Sequence, residues 1–314
     1  MVWERKNLLG LEELSKDEIE SILKTAKSMK DILARPIKKV PTLRGKLVVN
    51  LFYEPSTRTS SSFSLAAKRL SADSMGLSVK KSSVVKGESL LDTAKTLQAL
   101  GADAVVIRHG IPGAAKLLAE EVNIPVLNAG DGVHEHPTQA LLDMYTIQEE
   151  RGKIAGQKIA IVGDIKHSRV ARSNIWGLNK LGAEVRVIAP KTLLPVEVEK
   201  LGVEVYTDLE EGIKDVDVIN LLRIQRERQG KGFFPTIREY VKFYGLRKEH
   251  LELATDDVTV MHPGPINRGI EISAELADSN QAVIEEQVTN GVAVRMALLY
   301  LLIRGGSRDE EAIT

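Results

Sequence analysis

From residue 46 onward, short apolar segments typical of strands alternate with longer segments typical of helices. The predicted strands occur in two series, at 46–52, 75–79, 104–108 and 125–128, and then at 158–163, 184–189, 204–206, 216–221 and 258–261. Helices are predicted between them, at 60–70, 88–100, 112–121, 137–151, 169–181 and 196–201. Such alternation indicates parallel, doubly wound sheets. The two series predict an α/β fold with two doubly wound parallel-sheet domains, joined near residues 130–152.

Both ends of the chain are predicted to be helical. Ser15-Lys16-Asp17-Glu18 is a capping box that opens an amphipathic helix. A terminal helix is predicted at 285–304, and its apolar stretch is interrupted by Arg295 and is too short to span a bilayer. The first residues contain no apolar signal region, so we expect a cytoplasmic protein.

Composition limits the partners of the chain. The 314 residues are 43% hydrophobic, which is enough for a core, and Lys+Arg and Asp+Glu number 43 each. This charge balance predicts no nucleic-acid partner and no membrane surface as a partner. The chain has no cysteine, which excludes disulfides, thiol catalysis and zinc-thiolate sites. Any anion site must therefore come from local placement of basic side chains.

The junction between the first predicted strand and the next helix contains the strongest candidate anion site. Pro55 ends the apolar strand, and Ser56, Thr57, Arg58 and Thr59 follow it. The first turn of a helix offers free N–H groups and the positive end of its dipole to an anion. The fork of an arginine matches phosphate geometry. The alternative interpretation is an ordinary Ser and Thr helix cap beside a surface arginine.

Polar clusters follow six of the predicted strands. They are Ser56 to Thr59, Arg108-His109, His134 to Gln139, Gly163 to Arg169, Arg223 to Gln225 and His262 to Pro265. Ligands of open parallel sheets bind outside the carboxyl ends of the strands. The pattern therefore predicts an active site in the cleft between the two domains. After Gly163 the three spaced glycines of dinucleotide-binding proteins are missing, which argues against NAD.

Four of these segments resemble the signatures of the transcarbamoylases. Residues 52–59 (FYEPSTRT) look like the carbamoyl phosphate signature, and residues 136–143 (HPTQALLD) look like the second one. Residues 223–228 (RIQRER) and 262–265 (HPGP) are similar to the aspartate branch. The likeness runs over essentially the whole chain, in the family's order. Gly264 is a departure, since relatives have Leu or Ala between the two prolines.

The resemblance implies a reaction and assigns one substrate to each domain. Carbamoyl phosphate and L-aspartate would give N-carbamoyl-L-aspartate and phosphate, the committed step of pyrimidine synthesis. Positioned donors then suffice for catalysis, with no metal and no cofactor. Residues 1–135 with the terminal helix at about 288–306 would bind carbamoyl phosphate. Residues 136–287 would bind aspartate.

The residue roles follow from the matching motif positions. The carbamoyl phosphate ligands would be Ser56, Thr57, Arg58, Thr59, Ser82, Lys86, Arg108, His136, Gln139, Pro263 and Gly264. The catalytic residues would be Arg58, Thr59, Lys86, Arg108 and His136, of which Thr59, Arg108 and His136 polarise the carbonyl oxygen. The aspartate ligands would be Lys86, Arg169, Arg223 and Gln225.

The family also implies an assembly. Its members receive a serine and a lysine from a neighbouring subunit, and Ser82 and Lys86 match those positions. A homotrimer with shared active sites is therefore expected. The resemblance leaves open whether a regulatory chain or a dihydroorotase partner binds.

Two alternatives stay open at this point. One is a transcarbamoylase for ornithine, whose relatives usually carry a cysteine that this chain lacks. Arg223 and Gln225 also suit a carboxylate better than an ammonium. The other alternative is a non-catalytic binding homologue, against which the complete set of candidate residues argues. An alternative interpretation of His262 is that it simply ends a strand, with no part in catalysis.

Overall fold

The computed structural model describes residues 3–78, 89–224 and 236–305. The chain divides into two compact units, residues 1–141 with 289–314 and residues 142–288. The boundaries lie inside two helices, at residues 141/142 and 288/289. Each unit contains one parallel sheet, so the predicted fold class is confirmed. The predicted cleft between the domains stays a prediction.

Unit 1 is a four-stranded parallel sheet with helices. Its strands are β1 Leu47–Phe52, β2 Asp73–Ser78, β3 Ala104–His109 and β4 Val126–Asp131, in the order β2-β1-β3-β4. Its helices are α1 Lys16–Leu33, α2 Thr57–Arg69, α3 Leu90–Ala99 and α4 Ala114–Glu121. The central strands are buried along nearly their whole length, as expected for a parallel sheet. The order reverses between β1 and β3, which makes that point the crevice where ligands bind in such sheets.

Unit 2 is a five-stranded parallel sheet. Its strands are β5 Lys158–Val162, β6 Glu184–Ile188, β7 Glu204–Tyr206, β8 Val218–Leu221 and β9 Thr259–Met261, in the order β7-β6-β5-β8-β9. The helices that remain are α5 Pro137–Arg151, α6 Arg169–Lys180, α7 Leu209–Gly212, α8 Ile237–Tyr244, α9 Ala274–Ala277 and α10 Ile284–Arg304. Three 3-10 helices lie at Lys191–Leu193, Val198–Leu201 and Lys248–Leu253. Here the order reverses between β5 and β8.

The local predictions agree well with these elements, with one consequential correction. The capping box forms as predicted, because Ser15 accepts the Glu18 N–H and Glu18 accepts the Ser15 N–H. Helix α2, however, begins at Thr57 rather than at residue 60. The prediction was wrong because Ser56, Thr57 and Thr59 are all of residue types that favour the N-cap position, and Ser56 occupies it without a side-chain capping hydrogen bond. Three of the four polar residues of the first cluster therefore lie inside the first helical turn.

The sequence interpretation did not predict α7, α8, α9 or the 3-10 helices Lys191–Leu193 and Lys248–Leu253. Helices α7 and α9 have four residues each, which is too short to show a helical period. The helix predicted at 196–201 is the 3-10 helix Val198–Leu201. Among the described residues, no helix combines the length and the apolar composition needed to cross a membrane.

Candidate active site

The β1–α2 junction of unit 1 presents the first turn of a helix at the carboxyl end of the sheet. Ser56 is the N-cap residue, its side chain makes no capping hydrogen bond, and the Ser60 N–H closes the first turn on the Ser56 carbonyl at 3.1 Å. The N–H groups of the first turn have no partner within the helix itself. Arg58 is exposed, whereas Thr59 is buried. The junction thus combines backbone donors, hydroxyls and a guanidinium in one helical turn.

Arg108 lies beside this junction because β3 is the neighbour of β1. Phe52 and Arg108 are paired in the sheet register, and the Tyr53 N–H donates to the Arg108 carbonyl at 2.9 Å. The Arg108 guanidinium donates to the Ala129 carbonyl at 3.2 Å and lies 3.4 Å from the Glu54 carboxylate. These contacts fix the position of a cation at the carboxyl end of the central strands.

The turn that leads from β4 into helix α5 carries His136 and Gln139, both buried. The turn is fixed by Asp131, whose carboxylate accepts the Gly113 N–H at 2.7 Å, the Asn128 amide at 2.8 Å and the Glu135 N–H at 3.2 Å. His134 Nδ1 lies 3.1 Å from the same carboxylate. Asp131 therefore places the His136 turn at the end of β4.

The pKa of Asp131 reflects these contacts. Burial acts to raise the pKa, but hydrogen bonds from His134, Asn128 and the Gly113 N–H outweigh burial, and the pKa lies below its ordinary value of 3.8. A group whose pKa is lower in the folded state stabilises the fold above its unfolded pKa. That contribution is lost as the pH falls through the folded value.

We expect Asp131→Asn to lower the free energy of unfolding by roughly 1–3 kcal/mol at pH 7, since buried donors lose their charged acceptor. The difference from the wild type should shrink as the pH falls below about 4, where the carboxyl of the unfolded wild-type chain takes up a proton, and should be lost as the pH falls through the lower pKa of the folded state. Urea unfolding at pH 7 and pH 3 measures both values. Asp31→Asn, at an exposed aspartate of α1, is the control and should change little at either pH. An equal loss at both pH values would contradict the assigned role of the carboxylate.

Unit 1 thus brings its predicted residues together at one edge. Strands β1, β3 and β4 are consecutive in the sheet. Strand β1 leads to the Ser56–Thr59 turn, and β4 leads to the His136–Gln139 turn. Arg108 lies near the end of β3. These positions lie on both sides of the reversal in strand order. Chain order alone would have placed β2 between β1 and β3.

Unit 2 has a similar arrangement around its own reversal point. Arg169 is the first residue of α6, lies after β5 and is buried, and Ser168 caps the helix by accepting the Ala171 N–H at 3.1 Å. Arg223 follows β8, the adjacent strand, and is half-buried. Two guanidinium groups therefore lie on the two loops that flank the crevice position of this sheet.

The 262–265 segment follows β9, the next strand along. Gly264 adopts a φ of +62°, a left-handed conformation that favours glycine. Gly163, at the end of β5, has a φ of +128°, and a Cβ there would lie 3.1 Å from the Leu222 Cβ. The loops after β5 and β8 therefore approach each other closely.

Three predicted site residues, Ser82, Lys86 and Gln225, lie outside the described residues. Three residues that received no catalytic or ligand role in the sequence interpretation make contacts beside the predicted ones. Asp131 orients the His136 turn, Glu54 lies against Arg108, and His262 contacts the loop that it precedes. The available signal was position alone, since each lies within three residues of the end of a predicted strand.

Comparisons with known proteins agree with this geometry. Residues 6–149 match the carbamoyl-P binding domain of the aspartate/ornithine carbamoyltransferases, and residues 155–302 match the family's Asp/Orn binding domain. The chain belongs to the aspartate/ornithine carbamoyltransferase family. The resemblance inferred from the four motifs is thereby confirmed.

Individual relatives refine the comparison within the carbamoyltransferase family. The aspartate carbamoyltransferase catalytic subunit of Halothermothrix orenii is 63% identical over 99% of both chains. The catalytic subunit of M. jannaschii aspartate transcarbamoylase has a TM-score of 0.84 at 38% identity, over 97% of this chain and 100% of that one. Ornithine carbamoyltransferase from Pyrococcus furiosus also has a TM-score of 0.84, at 29% identity, over 97% of this chain and 99% of that one. The fold is therefore common to both branches, and sequence identity favours the aspartate branch.

Proposed function

We propose that this chain transfers the carbamoyl group of carbamoyl phosphate to the amine of L-aspartate, giving N-carbamoyl-L-aspartate and phosphate. The observation that carries the proposal is the placement of the predicted residues on the loops that flank the reversal point of each sheet. High identity over nearly the full length to an aspartate carbamoyltransferase catalytic subunit supports the same substrate.

Unit 1 has the chemistry that carbamoyl phosphate needs. The first turn of α2, with Ser56, Thr57, Arg58 and Thr59, binds the phosphate, which leaves as a dianion stabilised by backbone N–H groups and a guanidinium. When the amine attacks, negative charge develops on the carbonyl oxygen. Thr59, Arg108 and His136 donate to that oxygen, and Gln139 accepts from the carbamoyl NH2. Fixed donors of this kind stabilise the transition state more than the ground state.

Unit 2 has the chemistry that aspartate needs. Arg169 and Arg223, with Gln225, bind the α- and β-carboxylates, since guanidinium forks pair with carboxylates in a bidentate fashion. The Pro263-Gly264 backbone contacts the carbamoyl group or the incoming amine. No protein nucleophile is required, because the substrate amine itself is the nucleophile.

The test of the proposed function is the stoichiometry of the reaction. With 13C-labelled carbamoyl phosphate and L-aspartate, we expect one labelled N-carbamoyl-L-aspartate and one phosphate for each carbamoyl phosphate consumed. A reaction without aspartate measures spontaneous breakdown. Phosphate release without labelled carbamoyl-aspartate would overturn the proposal, and a chain that binds both substrates without turnover would be the non-catalytic homologue.

We also propose a homotrimer in which Ser82 and Lys86 complete the site of a neighbouring subunit. The support is the family likeness of residues 82–88, since Lys86 would otherwise be an ordinary loop lysine. A regulatory chain or a dihydroorotase partner could bind the same assembly. Size-exclusion chromatography with light scattering, with and without such partners, distinguishes these assemblies.

A mixture of two inactive variants tests the shared site. We expect Lys86→Ala and Arg58→Ala subunits, dissociated and reassembled together, to regain roughly a quarter of the wild-type activity, because that share of the interfaces joins two intact residues. The matched control mixes Arg58→Ala with Arg108→Ala. Both changes lie on the same side of the interface, so this mixture should stay inactive. A first mixture as inactive as its parents would show that Lys86 and Arg58 act within one chain.

A further inference from the structure

A continuous network of buried polar side chains runs through unit 2. Its members come from four different elements and from the segment after β9, and each is at most 3% exposed. They are Asp143, Asn174, Asn220, Gln287, His262 and Glu271. Buried polar groups are costly unless they are hydrogen-bonded. The hydrogen bonds of this network therefore favour one arrangement of the elements that they join.

Asp143 is the centre of one half of the network. One carboxylate oxygen accepts the Asn174 amide at 2.9 Å and the Asn220 amide at 3.4 Å, and the other accepts the Gln287 amide at 2.8 Å. The side-chain amide oxygen of Gln287 in turn accepts the backbone N–H of His262 at 2.9 Å. A single carboxylate in α5 thus joins α6, β8, α10 and, through Gln287, the end of β9.

His262 is the centre of the other half. Its Nδ1 accepts the Gly264 N–H at 2.8 Å, and its Nε2 lies 3.1 Å from the Glu271 carboxylate. A backbone N–H can only donate, so Nδ1 must be unprotonated and the ring proton must lie on Nε2. Nε2 then donates to Glu271. The Glu271 carboxylate therefore fixes the tautomer in which His262 can accept from the loop.

Glu271 also contacts the loop directly. The same oxygen that faces His262 accepts the Asn267 N–H at 2.6 Å. The 263–267 loop is consequently fixed at two points, at Gly264 through His262 and at Asn267 through Glu271. Between them lies the backbone that the proposed function places against the carbamoyl group and the incoming amine. Gly264 has its left-handed φ of +62° within this constrained segment.

We propose that His262 and Glu271 are a pair of positioning residues that fix the 263–267 loop in the conformation in which its backbone contacts the substrates. The proposal rests on the proposed function, because the loop contacts the carbamoyl group or the amine only if the chain transfers a carbamoyl group to aspartate. The pair acts through the backbone of Pro263 and Gly264 and itself touches no reacting atom. The Asp143 half of the network anchors the pair to the elements that carry Arg169 and Arg223.

Two conservative variants test the catalytic consequence. Glu271→Gln keeps the shape but removes the charge that fixes the His262 tautomer. His262→Asn keeps an acceptor for the Gly264 N–H and loses the contact with Glu271. We expect each to lower kcat by about 10–100-fold, since small displacements of positioning groups have effects of this size. The KM for carbamoyl phosphate should change less than threefold, because its phosphate binds to unit 1.

The control separates positioning from stability. Ile213→Val trims a fully buried residue of the hydrophobic core of unit 2 and should lower Tm with kcat unchanged. Rates are expressed per folded subunit, measured by near-UV circular dichroism. His262→Leu removes both contacts of the ring and should have a larger effect on kcat than His262→Asn. Variants that lose Tm but keep wild-type kcat would show a structural role only and would overturn the proposal.

Hydrogen exchange followed by mass spectrometry tests the loop itself, independently of activity. The Gly264 and Asn267 amides should exchange slowly in the wild-type protein and at least tenfold faster in Glu271→Gln. The Ile213→Val variant should leave the peptide unchanged. Equal exchange in the wild type and Glu271→Gln would overturn the proposal. If the wild-type chain formed no carbamoyl-aspartate, the proposed function would fail, and the exchange measurement would still decide whether the pair fixes the loop.

Discussion

Replacing Arg58 by alanine is expected to lower turnover on the order of a hundredfold or more, as removal of a transition-state donor does. Arg58 lies in the first turn of α2, two residues after the N-cap residue Ser56, and its side chain is exposed. The helix offers N–H groups and a positive dipole end at the same point. As phosphate leaves, charge accumulates on its oxygens, and the guanidinium fork then contributes most.

A graded set of variants makes the Arg58 prediction specific. Arg58→Lys keeps the charge but loses the bidentate geometry, so its turnover should lie between those of the wild type and Arg58→Ala. Arg44→Ala, at an exposed arginine of the same unit, is the matched control and should retain full turnover. Inhibition by inorganic phosphate should weaken only in the Arg58 variants. Near-normal turnover of Arg58→Ala at saturating substrates would refute the phosphate assignment.

Aspartate is expected to be favoured over ornithine by roughly a thousandfold or more in kcat/KM, because the wrong amine leaves polar groups of the site unsatisfied. Arg169 is 3% exposed and Arg223 is half-buried. Two such cations suit a substrate with two carboxylates, because guanidinium forks pair with carboxylates in a bidentate fashion. Aspartate has two carboxylates beside its amine. Ornithine has one, and it adds an ammonium at its reactive end.

Direct competition and one pair of variants test the specificity. Aspartate and ornithine are supplied at equal concentration, the two carbamoylated products are separated, and the amount of each product is measured. Arg223→Ala should raise the KM for aspartate steeply and leave carbamoyl phosphate affinity nearly unchanged. Arg172→Ala, at an exposed arginine of α6, should change neither. Comparable rates with the two amines, or a preference for ornithine, would refute the aspartate assignment and leave carbamoyl transfer in place.

The sequence determined the elements, the fold class and the family of this protein. Strand and helix periods, the Ser15 capping box and the polar residues after each strand are local signals. They are set by neighbours a few residues apart, so they can be read without a structure. The four motifs likewise predicted, without a structure, the candidate roles of Arg58, His136 and Arg223. The start of α2 was misplaced because Ser56, Thr57 and Thr59 are all of residue types that favour the N-cap position.

Only the tertiary structure decided which of these residues meet. Strand β3, not β2, lies between β1 and β4, so Arg108 lies near the end of the strand between those that lead to the Ser56–Thr59 turn and the His136 turn. Gln287 donates to Asp143 across 144 residues of chain, and Glu271 fixes the tautomer of His262, a residue that the sequence presented simply as the end of a strand. Contacts of this kind depend on strand order, register and burial. No local pattern encodes them, because each partner alone resembles an ordinary polar residue of a loop or a helix.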